Sequence, residues 1–273
     1  MAVFDLTVGV AGCGRMGLPM AEALARSGVD VWGFDIRPAA DFGAFADRMI
    51  ADPAVFARRC PVLISVVRDE AQTEALLFAE QALLAEGATR MLVIASTLSP
   101  RWLAGLPARA PRVALVDAPM SGAQIAAREA RLSFMLGGEA ADLDRLAPLF
   151  DAMGRVSHRM GPFGAGMTAK VLNNFVAACS TVAVRRSLAW ADALGVDRAR
   201  LLALMHDSSG QTWFGSHFDA IEFARDGWAA DNSIGLLVKD VSAALDAAGE
   251  APDAFADALL DALRRMPPDH GSR

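Results

Sequence analysis

Of the 26 basic side chains in this 273-residue chain only two are lysines, Lys170 and Lys239; all the others are arginine. On a solvated surface the two serve alike, but a guanidinium stays protonated near neutral pH, whereas an ε-amine can release and retake a proton. Lys170 lies in Gly161-Pro162-Phe163-Gly164-Ala165-Gly166-Met167-Thr168-Ala169-Lys170-Val171-Leu172-Asn173-Asn174, where a glycine-rich turn runs into a long helical pattern. Partly desolvated in a cleft, such an amine has its pKa lowered toward the working range, so it can protonate a forming alkoxide or deprotonate an alcohol. Asn174 is four residues on and therefore on the same helical face, where its amide can hold the amine or a substrate oxygen in register.

Other proton carriers are scarce. The chain has no tyrosine, which excludes a Tyr-Lys relay. Its three cysteines, Cys13, Cys60 and Cys179, and its four histidines are too scattered for a zinc held by three protein ligands, so no metal site is expected. A proton shuttle through His158, His206, His217 or His270 stays open as an alternative.

A second constellation sits near the start. Gly12-Cys13-Gly14-Arg15-Met16-Gly17 follows an apolar, β-branched run over residues 6–11 and precedes a helical pattern over 19–26. In a strand–turn–helix unit, Gly12 permits the tight turn, Gly14 lets a pyrophosphate approach the backbone, and Gly17 lets helix and strand pack closely. Arg15, Met16 and the helix N-terminus then face the phosphates. The next run, Val31-Trp32-Gly33-Phe34, ends on Asp35, placed to accept hydrogen bonds from the adenosine ribose and to repel a 2′-phosphate. NAD is the expected cofactor. NADP stays possible, because Arg37 and Arg15 are close enough in sequence to soften that repulsion. The motif alone also fits a glycine turn in another nucleotide or methyl-donor fold.

The elements that must position these groups alternate. Short apolar runs at 62–67, 91–95 and 113–117, with further strands at 132–136 and 156–160, are separated by helical patterns, one of them at 71–86. This predicts a Rossmann-type, doubly wound α/β sheet of parallel strands, with ligands beyond their carboxyl ends. Val67-Arg68, Ser96-Thr97 and Pro119-Met120-Ser121-Gly122 fall at that mouth, and the Ser121 hydroxyl with the Gly122 backbone can cradle a substrate carboxylate. After Gly166 strand patterns stop; helices are expected over 167–194, 197–206, 211–225, 233–248 and 252–266. The expected domains are therefore a dinucleotide-binding domain at 1–162 and an all-α C-terminal domain at 163–273 for substrate binding and dimerisation. Residues 267–273 are expected to fray.

A net charge of -6 and a pI near 5.2 argue against nucleic-acid binding. Apolar runs are broken by Gly, Pro or charge short of the ~18 residues of a membrane span. The first five residues lack the basic start of a signal peptide, and the cysteine usage suits a reducing cytoplasm.

Taken together, Gly12-Cys13-Gly14-Arg15-Met16-Gly17-Leu18-Pro19-Met20, Ser96-Thr97-Leu98-Ser99-Pro100, Asp117-Ala118-Pro119-Met120-Ser121-Gly122 with Gly137-Gly138, Gly164-Ala165-Gly166 with Lys170 and Asn173-Asn174, and Lys239-Asp240 resemble the β-hydroxyacid dehydrogenase family. The resemblance implies Lys170 as acid/base, Ser121, Gly122 and Asn174 at a small carboxylate-bearing substrate with Ala123 beside them, Thr97 and Lys239 near the nicotinamide, and a homo-dimer or tetramer. The family usually has glycine where Ala123 and Ala130 stand, proline at Arg68 and phenylalanine near Asn232. Asn173 separates the chain from 6-phosphogluconate dehydrogenase, which carries His there. Two rival readings are an NAD(P)-binding interaction module without turnover and an imine reductase, in which the lysine is typically replaced.

Overall fold

Four-residue aliphatic runs are too short to bury themselves as helices, and they satisfy their backbones by pairing side by side. The computed structural model of the chain describes residues 5–85, 88–249 and 253–271. Contacts divide the chain into two compact units, residues 1–170 and 171–273.

In the first unit β1 (Val8–Ala11), β2 (Val31–Phe34), β3 (Val62–Ser65), β4 (Met91–Ile94) and β5 (Ala114–Asp117) run parallel. The short β6 (Met120–Ser121), β7 (Leu132–Gly137) and β8 (Gly154–Gly161) complete a sheet ordered β2-β1-β3-β4-β5-β7-β6, with β8 beside β7. A single parallel bridge between Gly33 and Met49 lies outside β2. Counting that bridge as a vestigial strand, the first six strands follow the 3-2-1-4-5-6 order of dinucleotide-binding sheets. Alternate residues serve two cores. Val8, Val10, Val62, Ile64 and Val93 pack on one face, and Ala11, Leu63, Leu92 and Ile94 on the other, as a sheet covered on both sides requires.

The helices are α1 (Gly17–Arg26), α2 (Pro53–Arg59), α3 (Glu70–Leu77), α4 (Pro100–Leu103), α5 (Leu106–Arg109), α6 (Ala123–Arg128), α7 (Ala140–Met153) and α8 (Ala165–Leu194), with a 3-10 segment at Ala39–Arg48. In the second unit α8 is followed by α9 (Arg198–His206), α10 (Trp213–Ser216), α11 (Ser233–Ala248) and α12 (Ala254–Arg264).

Four expectations are corrected. The sheet is not parallel throughout: β7 runs antiparallel to β5 and β6, because the chain reverses through α6 and returns beside β6. The helix expected at 71–86 ends at Leu77; beyond it Leu83 and Leu84 donate to the carbonyls of Leu76 and Leu77, so a loop rather than a helix turns Leu83 inward. Residue 86 lies outside the described residues, as do residue 252 and residues 1–4. The helix expected at 211–225 is only α10, after which Phe218 and Ile221 reach their core by turns. Finally, the tail is tied down through Asp269, which takes Arg198 Nη1 and Nη2 at 2.9 and 2.6 Å and donates its own N–H to the Arg225 carbonyl at 2.8 Å. Residues 272 and 273 lie outside the described residues. Burial pushes the Asp269 carboxyl up, but hydrogen bonds from Arg198 and the Gly271 N–H, with the charges of Arg198 and Arg185, bring it below the usual carboxylate range.

By length and composition α8 could cross a membrane, with a mean hydropathy of 1.2 in its most apolar window. The core helix of a protein outside membranes meets the same length and hydropathy, and α8 includes Lys170, Arg185, Arg186 and Asp192, so this does not overturn the sequence expectation.

Candidate active site

The register of the first unit aligns the strand ends. Phe34 pairs with Ala11, Ala11 with Ser65, Ser65 with Ile94, and Ile94 with Asp117. The residues that follow these ends, Asp35, Gly12, Val67-Arg68 and Thr97, therefore leave the sheet along one rim, the binding edge of a parallel sheet.

Each glycine of the first turn has its own physical reason. Gly12 has φ +92°, and a Cβ there would sit 2.7 Å from the Val66 carbonyl oxygen. A Cβ on Gly17 would run into the Gly12 carbonyl. A Cβ on Gly14 would meet no protein atom within 4 Å. Packing inside the protein thus demands Gly12 and Gly17 but not Gly14, whose bare backbone opens onto space. No side chain caps α1, and no acidic residue lies in its first turn, so its partial positive charge is not neutralised there. The turn therefore fits an anionic group such as a pyrophosphate. Cys13 is no nucleophile: burial first, then the charge of Asp35, pushes its thiol up to about 12.

Beside this turn is a groove of about 380 Å³ whose lining includes Gly14, Arg15, Arg37, Gln124 and Arg128. Gln124 and Arg128 belong to α6 and were not singled out from the sequence. Arg37 forks onto Asp35, with Nε 3.0 Å from Oδ1 and Nη2 3.2 Å from Oδ2, and Nη2 also donates to the Cys13 carbonyl at 2.9 Å. Proximity expected from sequence is thus a bidentate ion pair.

Farther along the rim, Ser121 is half-buried on β6 and Gly122, at φ +133°, leads into α6. Ala123 and Ala130 have φ of +58° and +51°, a region where a Cβ is strained, which gives a physical reason for the glycines that the resemblance leads one to expect there. Exposed Arg68 has its N–H on Gln72 Oε1 at 3.0 Å. Thr97 is half-buried, and the next residue, Leu98, donates its N–H to the sulfur of Met167, in the first turn of the helix α8 that carries Lys170.

Lys170 is only 6 % exposed. One turn on, in the second unit, Asn174 is also buried and donates to Asp240 Oδ2 at 2.6 Å, while Asp240 Oδ1 lies 2.9 Å from Lys239 Nζ. A buried carboxylate thus holds two predicted site residues, Asn174 and Lys239, together. Asp240 had been visible only as part of a motif. Asn232 caps α11, accepting from the Gly235 N–H at 3.0 Å and donating to the Gly227 carbonyl at 2.7 Å.

Residues 7–164 match the family described as the NAD binding domain of 6-phosphogluconate dehydrogenase, and residues 164–256 the family described as NAD-binding of NADP-dependent 3-hydroxyisobutyrate dehydrogenase. The NAD-dependent L-serine dehydrogenase of Pseudomonas aeruginosa is 36% identical over 210 residues, 74% of this chain and 70% of that protein. The 3-hydroxyisobutyrate dehydrogenase of the same organism is 33% identical over 247 residues, 86% of this chain and 82% of its own. Among solved structures, Mycobacterium tuberculosis 3-hydroxyisobutyrate dehydrogenase with L-serine has a TM-score of 0.80 at 25% identity, covering 97% of both chains.

Proposed function

This chain belongs to the NAD(P)-dependent β-hydroxyacid dehydrogenase family, and from that premise we propose that it oxidises a small β-hydroxy acid, or reduces the corresponding semialdehyde, with Lys170 as general acid/base. It is an oxidoreductase with an NAD-binding domain, and a nicotinamide held there would supply the hydride acceptor or donor. In oxidation the substrate carbon gives up its hydride and Lys170 takes the hydroxyl proton; in reduction Lys170 returns a proton to the carbonyl oxygen. Ser121, Gly122 and Ala123 hold the substrate carboxylate, and Asn174 steadies the substrate oxygen. Gly12, Gly14, Arg15, Met16, Gly17, Asp35, Arg37, Val67, Arg68, Thr97 and Lys239 hold the cofactor. The single observation that supports this most is the burial of Lys170 on a helix that starts at the sheet's binding rim.

We assign residues 1–162 to cofactor binding and 163–273 to substrate binding and dimerisation, in a cytoplasmic homo-dimer or tetramer. The exposed apolar side chains Leu172, Val176, Trp190 and Leu194 along α8 support association; sedimentation at the monomer mass would contradict it. The activity is tested by incubating the protein with 3-hydroxyisobutyrate, L-serine, L-threonate and their semialdehydes, with NAD(H) and NADP(H) in parallel. Turnover of at least one small hydroxy acid is expected. Tight NADH binding without oxidation of any member would favour an interaction module instead.

A further inference from the structure

The mechanism above uses Lys170 but not Asp117, the last residue of β5, which has no solvent exposure. Its carboxylate is spent on the start of α8. Oδ1 accepts the Gly164 N–H at 2.7 Å, Oδ2 accepts the Met167 N–H, and the Gly166 N–H adds to the set. Helix α8 has no acidic residue in its own first turn, so its orphan N–H groups and partial positive charge are met by a carboxylate 47 residues earlier in the chain. Burial pushes the Asp117 carboxyl up, against the pull of these backbone hydrogen bonds.

Two glycines keep the latch closed. A Cβ on Gly137 would collide with Asp117 Oδ1 and come within 2.8 Å of the Pro162 carbonyl oxygen. A Cβ on Gly166 would collide with the Met135 carbonyl and sit 2.9 Å from Asp117 Oδ2. Gly137 is also the β7 partner of Asp117 in the sheet. Strand β7, the end of β5 and the first turn of α8 are thereby held in one close-packed arrangement, and Lys170 follows Met167 by three residues on the same helix.

We propose that Asp117 is a positioning residue for Lys170: by anchoring the first turn of α8 to the rim of the sheet, it fixes where the amine is presented. The proposal rests on the proton-transfer role assigned to Lys170, and the test separates the two. Asp117→Asn keeps the size of the side chain but turns an NH₂ toward backbone N–H donors, so one or more anchoring bonds are lost. A displacement on the order of 1 Å of a reacting group lowers turnover roughly 10²-fold.

The experiment is a double-mutant cycle of D117N, K170A and D117N/K170A, reading kcat, the KM for hydroxy acid and the Kd for NADH by fluorescence. The expected result is that D117N lowers kcat roughly 10²-fold with KM and NADH binding nearly unchanged, yet changes the residual rate of K170A by less than about threefold, because its effect runs through the lysine. An equal loss in both backgrounds, or a wild-type kcat for D117N, overturns the positioning role and leaves the lysine assignment standing. Near-normal turnover by K170A removes the lysine assignment itself, and this inference with it. Should D117N not fold, Gly166→Ala keeps the carboxylate while forcing the helix start to shift; the same split of kcat from KM supports the proposal, and an unchanged kcat overturns it.

Discussion

Asp35 does not face a ribose as a bare carboxylate, since Arg37 occupies both of its oxygens. The Asp35 side chain is only 10% exposed but that of Arg37 is 48% exposed, so solvent screens the pair in part, and Arg37 offsets part of the repulsion that a 2′-phosphate would feel. Removing the guanidinium restores that repulsion. In Arg37→Ala the ratio of the NADPH to the NADH dissociation constant is expected to rise at least about tenfold, roughly 1.4 kcal/mol of added discrimination. A ratio that stays constant or falls in fluorescence titrations would show that Arg37 does not govern the choice. At this scale the sequence was informative where a residue type is chemically irreplaceable: a lysine in a chain of arginines stands out, and so does a glycine turn after a strand. Asp117 and Asp240 did not stand out, because their work depends on partners 47 and 66 residues away, which no local pattern reveals.

Elements were legible where periodicity was strong and misread where a loop mimicked it. The five parallel strands and α8, α11 and α12 follow the apolar spacing, and α9 forms where a helix was expected although none of its residues is buried. In contrast, Leu83, Phe218 and Ile221 continue a helical spacing yet reach their cores through turns, since burial rewards the position of a side chain whatever backbone carries it there. The one-residue bridge at Met49 is too short to leave any pattern. The turn after α6 carries a testable cost. Ala130 sits at φ +51°, where a Cβ costs about 1–2 kcal/mol relative to glycine, partly offset by the larger unfolded-state entropy of glycine, about 0.4–1 kcal/mol. Ala130→Gly is therefore expected to stabilise the protein by roughly 0.5–1 kcal/mol in denaturant unfolding. A loss of stability would mean that packing around the methyl outweighs the backbone.

At the scale of the molecule, the order of the strands, the rim they form and the position of α8 serve one chemical end. The sheet places a glycine turn that fits a phosphate at the carboxyl end of β1 and the start of a lysine-bearing helix at the carboxyl end of β5, on one rim with β3 and β4 between them. The expected fold class holds, while the antiparallel return through β6 and β7 could not be read from runs whose apolar character is the same in either direction. The central claim is that Lys170 exchanges the proton that accompanies hydride transfer. Its most direct test is Lys170→Arg, which keeps the charge and removes the exchangeable amine. Measured on one preparation, kcat is expected to fall at least about 10³-fold while the NADH dissociation constant stays within about threefold of wild type. Turnover near the wild-type rate would contradict the account.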